Sequence, residues 1–237
     1  MDEGRLLVRG AATQLLADED GMSLPTPYYD DGGITIYHSN CVDILPYLPV
    51  ADLLLTDPPY GIGEAAGKNK SRGLLATPTD YGNDTWDNKP ISDNLMGLVL
   101  GAANHSIVWG GNYYSHLLSP GPGWLVWDKQ INGDFADCEL AWTNLPQAVR
   151  LFRHMWNGMI RDSERGPRVH PTQKPVALMH WCLSFAPDAK TVIDAFCGSG
   201  PVLRAAKDLG RQCIGIEIEE KYCEIAARRL GQEVLDL

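Results

Sequence analysis

The amino-acid sequence predicts an α/β fold with a mostly parallel, doubly wound sheet and one antiparallel hairpin. Residues 51–56 form a short apolar run bounded by turn formers, which is typical of a strand buried on both faces of a parallel sheet. Residues 191–230 alternate strand, helix, strand and helix, with a tight glycine turn after the first strand. A further strand at 124–127 is followed by its predicted hairpin partner at 139–143. This combination indicates a sheet of the nucleotide-binding type.

The other elements follow from hydrophobic periodicity and from the positions of proline. Residues 34–38 alternate and are rich in β-branched and aromatic side chains, so they predict a strand. A short helix is predicted over 42–48, and a longer one over 172–185 with Pro175 in its first turn. The remaining predicted elements are a helix over 92–103 and a strand over 106–109.

The domain organisation is simple. Residues 1–31 carry seven acidic and two basic side chains, and we expect them to form an N-terminal arm. Residues 32–237 then form a single domain with insertions at about 61–90 and 143–169. The first insertion is rich in polar residues and glycine, and a loop of that length in a compact domain is usually functional or disordered.

Composition limits the function classes. The 237 residues carry 20 Lys and Arg against 30 Asp and Glu, a net charge of −10 that by itself argues against a nucleic-acid partner. The charge is unevenly placed, however, because residues 150–175 hold six basic side chains and two acidic ones. No apolar run approaches the roughly 20 residues that span a bilayer, and the acidic N-terminus does not resemble a secretory signal. We therefore expect a cytoplasmic location without membrane contact.

The six cysteines do not indicate a metal site. No two of them form a Cys-x-x-Cys pair, and the length is not that of a small disulfide-stabilised domain. We expect reduced, mostly buried thiols and no bound metal.

The first chemical motif is Asp57-Pro58-Pro59-Tyr60, directly after the buried strand at 51–56. Ligands bind beyond the carboxyl ends of strands in open α/β sheets. The two prolines hold the segment stiffly and donate no amide hydrogen, Asp57 is an acceptor, and Tyr60 offers a flat ring. This combination suits a planar heterocycle that bears an exocyclic amine. A proline turn followed by a core tyrosine remains the alternative.

The second motif is the glycine turn with Gly198 and Gly200, which opens a predicted helix. Glu217 lies 17 residues after Gly200 at the end of the next strand, where a carboxylate can accept hydrogen bonds from both ribose hydroxyls. Leu203 stands where a dinucleotide-binding run has its third glycine, so an adenosine ligand without phosphates fits better than a nicotinamide dinucleotide. A turn that serves packing alone stays open.

These motifs resemble those of a known family. Asp57-Pro58-Pro59-Tyr60 matches the catalytic motif of DNA amino-methyltransferases, and residues 194–200 match their S-adenosylmethionine motif. His170-Pro171-Thr172-Gln173-Lys174-Pro175 matches the segment that precedes the cofactor motif, and the order of the three is that of the permuted β class. The resemblance extends from about residue 34 to 230. It implies a Rossmann-like methyltransferase fold with permuted motif order.

The resemblance also implies roles for individual residues. Asp57, Pro58, Pro59 and Tyr60 would be catalytic, and Tyr60 would stack on a base flipped out of the duplex. The cofactor would contact Phe196 and the glycine turn, with Asp194 near its methionine part, Thr172 and Lys174 near the methionine carboxylate, and Asn40 near adenine. The full implied cofactor set is Asn40, Thr172, Lys174, Asp194, Phe196, Gly198, Gly200 and Glu217.

Double-stranded DNA is the implied partner. The two insertions carry basic side chains next to the motifs, so we expect them to contact phosphates. The candidate DNA-binding residues are Lys68, Lys70, Arg72, Arg153, Arg161, Arg165 and Arg168. The chain has little room for a separate recognition domain, so we expect a short or relaxed target sequence. The sequence leaves open whether the protein forms a homodimer.

Several functions compete. Transfer to adenine N6 leads, because family members that modify cytosine N4 more often begin the catalytic motif with Ser than with the Asp found at position 57. Cytosine-N4 methylation is the first alternative, and a catalytically idle DNA-binding protein on the same fold is the second. Cytosine-C5 methylation would need a nucleophilic cysteine, usually after proline, and the chain has no Pro-Cys dipeptide.

Overall fold

The computed structural model describes residues 24–61, 89–130, 136–157, 160–164 and 173–231. Its strands are β1 (Tyr29–Asp30), β2 (Ile34–His38), β3 (Ala51–Thr56), β4 (Ala103–Trp109), β5 (Trp124–Asp128), β6 (Cys138–Thr143), β7 (Arg150–Arg153), β8 (Trp156–Asn157), β9 (Ile160–Arg161), β10 (Thr191–Asp194) and β11 (Gln212–Glu217). Its α-helices are α1 (Asp93–Gly101), α2 (Val176–Leu183), α3 (Pro201–Asp208) and α4 (Glu220–Leu230). No helix among these residues is long and apolar enough to cross a bilayer.

Nine strands form one sheet in the order β1-β2-β11-β10-β3-β4-β6-β5-β7. The five strands from β2 to β4 in this order are mutually parallel. Strands β5 and β6 form the predicted antiparallel hairpin, so the predicted α/β sheet is confirmed. The structure adds two more antiparallel pairs to this sheet, since β1 from the end of the predicted arm pairs with β2 and β6 also pairs with β4. It also adds β7, which runs parallel to β5 at the far edge.

Both faces of the sheet are covered, as a doubly wound sheet requires. Leu53 and Leu55 of β3 point to the face that packs against α2, α3 and α4. Leu54, which lies between them, points to the opposite face and packs in the cluster that contains Met96 and Val99 of α1. All three leucines are fully buried. The uninterrupted apolar run therefore reflects burial on two sides.

Proline changes two predicted helices. Instead of one helix over 42–48, the chain forms two 3₁₀ helices, Cys41–Asp43 and Leu45–Tyr47. Pro46 has no amide hydrogen and cannot donate to residue 42, so an α-helical ladder is broken there. The helix predicted from residue 172 begins at Val176, because Pro175 has extended backbone angles and acts as its N-cap.

The parallel strands bring the predicted site residues to one edge of the sheet. Asp194 and Glu217 are the last residues of β10 and β11, Asp57 directly follows β3, and Asn40 lies two residues beyond β2. Parallel neighbours end on the same side, so these four side chains share the carboxyl edge. This edge is where an open α/β sheet binds its ligand.

Asp31 lies in the turn between β1 and β2, away from the carboxyl edge of the sheet. The carboxylate of Asp31 accepts hydrogen bonds from the amides of Gly33 and Ile34 and from the hydroxyl of Tyr29. Lys207 of α3 also donates to it, at 2.7 Å. Burial opposes ionisation of Asp31, but Lys207 and the two amides outweigh it and lower its pKa to about 2. The turn between β1 and β2 is thereby tied to α3.

We predict that Asp31→Asn destabilises the protein near neutral pH and loses its effect in acid. The folded-state pKa lies below the unfolded value, so the stabilisation is fully present above about pH 4 and disappears as the pH falls toward 2. Urea unfolding at several pH values checks this. Asp188→Asn, at an exposed position, is the control. A destabilisation that stayed constant down to about pH 3 would contradict the assignment.

Candidate active site

One cavity joins the two sequence motifs. It has a volume of about 300 Å³ and lies at the carboxyl edge of the sheet. One part of its wall is formed by Asp57-Pro58-Pro59-Tyr60, and another by the cofactor-motif residues that follow β10 and β11. Of the described residues that the sequence assigned to the cofactor, those lining the cavity are Asn40, Lys174, Asp194, Phe196, Gly198 and Glu217.

Asp57 is the polar centre of the catalytic end. Its Oδ1 accepts a hydrogen bond from the Tyr60 hydroxyl, and its Oδ2 pairs with the ammonium of Lys174. The side chain is only 23% exposed. Burial raises the pKa of this carboxyl group and Glu139 raises it further, while Lys174 and Tyr60 oppose that rise. The charge of Asp57 therefore depends on its immediate partners.

The Tyr60 ring is fixed by its neighbours. It stacks on Tyr113 with ring centroids 4.8 Å apart and an interplanar angle of 11°. Gly110, with a φ of +67°, runs so close that a β-carbon there would overlap the ring. Burial, together with the nearby carboxylate of Asp57, raises the pKa of Tyr60 well above its ordinary value. The hydroxyl is therefore a neutral donor to Asp57.

The backbone around the catalytic motif is also held. The hydroxyl of the buried Tyr114 donates to the Pro59 carbonyl and accepts from the amide of Ile91. Tyr60 forms an isolated antiparallel bridge with Pro90. The two described ends of the first predicted insertion are therefore joined beside the cavity, while residues 62–88 lie outside the described chain.

Lys174 lies at the catalytic end of the cavity. The contact with the cofactor's methionine carboxylate that the resemblance implies for Lys174 stays a prediction. The structure brings its ammonium to Asp57, to the Tyr60 hydroxyl at 3.3 Å and to Glu139 at 3.3 Å. Its side chain is 5% exposed. Burial disfavours the ammonium, but the carboxylates of Asp57 and Glu139 outweigh it and raise the pKa of Lys174. Lys174 is therefore a buried cation.

Glu139 is a site residue that sequence reasoning missed. It belongs to β6, and its second partner is Lys129, which lies just after β5. Burial opposes its ionisation, but Lys174 and Lys129 lower its pKa to about 2. The available signal was a lone acid near the start of a strand that is otherwise uncharged.

At the other end of the cavity, hydrogen bonds hold two carboxyl groups, those of Glu217 and Asp194, in place. Glu217 accepts hydrogen bonds from the amides of Gly198 and Glu219, at 2.8 and 2.9 Å. Asp194 accepts from the Thr56 hydroxyl and from the amide of Phe196, and burial raises its pKa to about 7. These bonds fix both carboxylates before any ligand binds.

The glycine turn adds an unpartnered donor. Gly198 and Gly200 both have positive φ, 49° and 75°, and Gly200 is the N-cap of α3. A β-carbon on Gly200 would crowd Ala226 of α4. Between them lies Ser199, whose buried hydroxyl has no hydrogen-bond partner within the described part of the chain and lines the cavity. The hydroxyl is therefore available to a ligand.

The predicted DNA contacts are only partly described. Arg153 lies on the edge strand β7, outside the cavity lining, and its exposed side chain forms an ion pair with Asp128 at 3.4 Å. Arg161 lies in β9, of which the backbone pairing is described. The other residues, Lys68, Lys70, Arg72, Arg165, Arg168 and the cofactor candidate Thr172, lie outside the described residues.

Comparison with known proteins identifies the family. A family model described as DNA methylase matches residues 123–228. The Type II methyltransferase M2.LlaDCHI of Lactococcus lactis subsp. cremoris is 37% identical over 261 aligned residues, which cover 90% of this chain and 94% of that protein. The chain belongs to the N6-adenine/N4-cytosine family of DNA methyltransferases. The predicted family is thereby confirmed, and S-adenosylmethionine is its cofactor.

Solved structures agree with the fold of the methyltransferase. The M1.HpyAVI–SAM complex is similar with a TM-score of 0.53 and 22% identity, covering 83% of this chain and 100% of that one. The cytosine-N4-specific PvuII DNA methyltransferase is similar with a TM-score of 0.54 and 15% identity, covering 87% and 96%. At these identities the similarity concerns the fold, and it confirms the predicted methyltransferase architecture.

We predict that Gly110→Ala inactivates the methyltransferase by displacing Tyr60. The substitution adds a methyl group against the ring and imposes a positive φ on alanine, at a cost of about 1–3 kcal/mol. Gly97→Ala in α1 is the matched control, because a methyl group there meets open space and favours the helix. Thermal unfolding and methyl transfer to DNA are measured for both. Full activity of the Gly110 variant would contradict the fixed position of Tyr60.

Proposed function

We propose that the methyltransferase transfers a methyl group from S-adenosylmethionine to N6 of adenine in double-stranded DNA, with the target base flipped out of the helix. One observation carries this proposal. The cavity is lined at one end by Asp57 and Tyr60 and at the other by Phe196 and Glu217. An amino acceptor and a methyl donor bound at these two ends would meet inside it.

Asp57 would bind the amino group. An exocyclic amine is a poor nucleophile because its lone pair is delocalised into the ring. Donation of its hydrogen to the Asp57 carboxylate favours a tetrahedral nitrogen and directs the lone pair along the cavity. The stiff prolines and the Tyr114 hydroxyl on the Pro59 carbonyl keep this geometry preorganised. The expected catalytic contributions are positioning and electrostatic stabilisation.

Tyr60 would hold the flipped base. A base inside a duplex cannot reach a cavity at the sheet edge, so it must leave the stack. Stacking on an aromatic side chain contributes about 1–3 kcal/mol per base. Tyr113 and Gly110 hold the Tyr60 ring before the base arrives. The ring is therefore an ordered stacking surface.

The opposite end fits the cofactor. Glu217 is fixed by two amides and keeps lone pairs for ribose hydroxyls, and the unpartnered Ser199 hydroxyl faces the same space. Asn40 and Phe196 complete the wall on either side. S-adenosylmethionine supplies an electrophilic methyl group on a sulfonium, and its transfer releases S-adenosylhomocysteine and one proton from the amine.

The basic segments around this cavity would bind phosphates. We propose that Lys68, Lys70, Arg72, Arg153, Arg161, Arg165 and Arg168 contribute to DNA affinity, which would then fall steeply with salt. The net charge of −10 limits such contacts to a restricted face. A homodimer stays a prediction.

We predict that Asp57→Ala lowers methyl transfer by about 10²-fold or more while cofactor binding is retained. The amine loses its acceptor, whereas Lys174 keeps Glu139 as a partner and the glycine turn is untouched. Transfer of labelled methyl to DNA and calorimetric titration with S-adenosylmethionine measure the two properties. Asp188→Ala is the control. Normal turnover by the Asp57 variant would remove the catalytic assignment.

We predict N6-methyladenine as the product, because the catalytic motif begins with an acid. DNA methylated by the purified protein is digested to nucleosides and analysed by mass spectrometry. N4-methylcytosine in place of N6-methyladenine would contradict the proposal and identify cytosine N4 as the methyl acceptor. Absence of both modified bases would favour the catalytically idle DNA-binding alternative. Sequencing of the same DNA gives the recognition sequence.

A further inference from the structure

Both oxygens of the catalytic carboxylate already have a partner before any substrate binds. Oδ1 of Asp57 accepts from the Tyr60 hydroxyl, and Oδ2 pairs with Lys174. An amino group that is to donate to Asp57 must therefore share or displace one of these partners. Tyr60 is held by Tyr113 and Gly110, whereas Lys174 has a second carboxylate beside it, so Lys174 is the partner that can exchange.

Lys174 has a second carboxylate within reach. Oε2 of Glu139 lies 3.3 Å from the ammonium, is buried, and has no hydrogen-bond partner among the described residues. The other oxygen of Glu139 pairs with Lys129, so the carboxylate itself is anchored. A small rotation about the end of a four-carbon side chain would complete a hydrogen bond to Oε2. The backbone would not need to move.

We propose that Lys174 is a movable counter-ion, which pairs with Asp57 in the free protein and passes to Glu139 when the target amine takes its place on Asp57. Lys174 and Glu139 are then positioning residues for the reaction. This inference rests on the proposed role of Asp57 in the transfer.

Charge balance supports the transfer. Lys129, Glu139, Lys174 and Asp57 alternate in sign and sum to zero, so the buried group needs no outside ion in either state. An unpaired buried charge would be strongly unfavourable. After the transfer Lys174 is still paired, and the amine hydrogen satisfies the oxygen of Asp57 that it left.

The charges around Asp57 decide the pH dependence. Lys174, Tyr60 and Glu139 face it directly, and Asp194 is near enough to interact electrostatically. Methyl transfer needs the ionised carboxylate, so activity falls as the pH drops through the pKa of Asp57. The low-pH side of the pH–activity profile, here called the acid limb, follows the pKa of Asp57. Lys174 lowers that pKa and Glu139 raises it, so removal of Lys174 must move the acid limb to higher pH and removal of Glu139 to lower pH.

Glu139→Gln tests the second position of the ammonium. Without this anion Lys174 stays on Asp57, so kcat/KM for DNA at the plateau pH is expected to fall about tenfold, equivalent to about 1.4 kcal/mol. The acid limb is expected to move to lower pH. Glu139→Asp keeps an anion and should recover part of the activity. A simple loss of stability would not shift the acid limb downward.

Lys174→Gln tests the counter-ion itself. The acid limb is expected to move about one pH unit upward, because Tyr60 alone then opposes the effects of burial and Glu139 on the pKa of Asp57. In the double variant Glu139→Gln, Lys174→Gln the repulsion is gone, so its acid limb should lie below that of the Lys174 variant. Lys174→Arg keeps the charge and should keep the limb near its original position.

Two control variants and three contrary outcomes make the test of the Lys174 transfer decisive. Glu224→Gln and Lys190→Gln remove exposed charges outside the cavity lining and should leave the profile unchanged. A lower acid limb with unchanged kcat/KM in Glu139→Gln would make Lys174 a fixed counter-ion and overturn the transfer. An unchanged acid limb in Lys174→Gln would overturn the pairing. Full activity of Asp57→Ala would instead reject the proposed function, so the two failures are separable.

Discussion

The parallel pairing of β3 with β10 is the constraint on which the active site depends. Leu54 lies opposite Ile193 in this pair, so Asp57 and Asp194 leave the sheet at the same edge. The Thr56 hydroxyl donates to Asp194 at 2.8 Å and ties the two strand ends together. Because β10 also pairs with β11, the same register brings Glu217 to that edge. A slip of one residue would turn each of these side chains to the opposite face of the sheet.

The site contains buried charges, which are costly unless each has a partner. The catalytic end meets this requirement with side chains, through Lys174 between Asp57 and Glu139. The cofactor end meets it with backbone amides, as in the two bonds to Glu217. Side-chain partners can exchange, whereas backbone partners cannot. This difference suits the proposed roles of the two ends, with a target base that enters and leaves at one end and a cofactor bound at the other.

Much of this arrangement could be predicted because its signals are local in sequence. The apolar run before Asp57 and the glycine turn before α3 each fix an element and its neighbouring ligand residue. The pairing of Lys174 with Glu139 could not, since it joins the N-terminal approach to α2 with β6 and depends on the order of strands in the sheet. The resemblance gave no sign of these contacts of Lys174. Pro46 was a local signal for two 3₁₀ helices that periodicity alone did not reveal.

The bridge between Tyr60 and Pro90 separates the catalytic motif from the long segment that follows it. Gly61 permits this closure, since its φ is +76° and a β-carbon there would overlap Pro90. Loops whose ends are already joined change length at small thermodynamic cost. The segment between these residues can therefore diverge during evolution without disturbing β3 or α1. A methyltransferase built in this way can vary this segment while its catalytic motif is inherited intact.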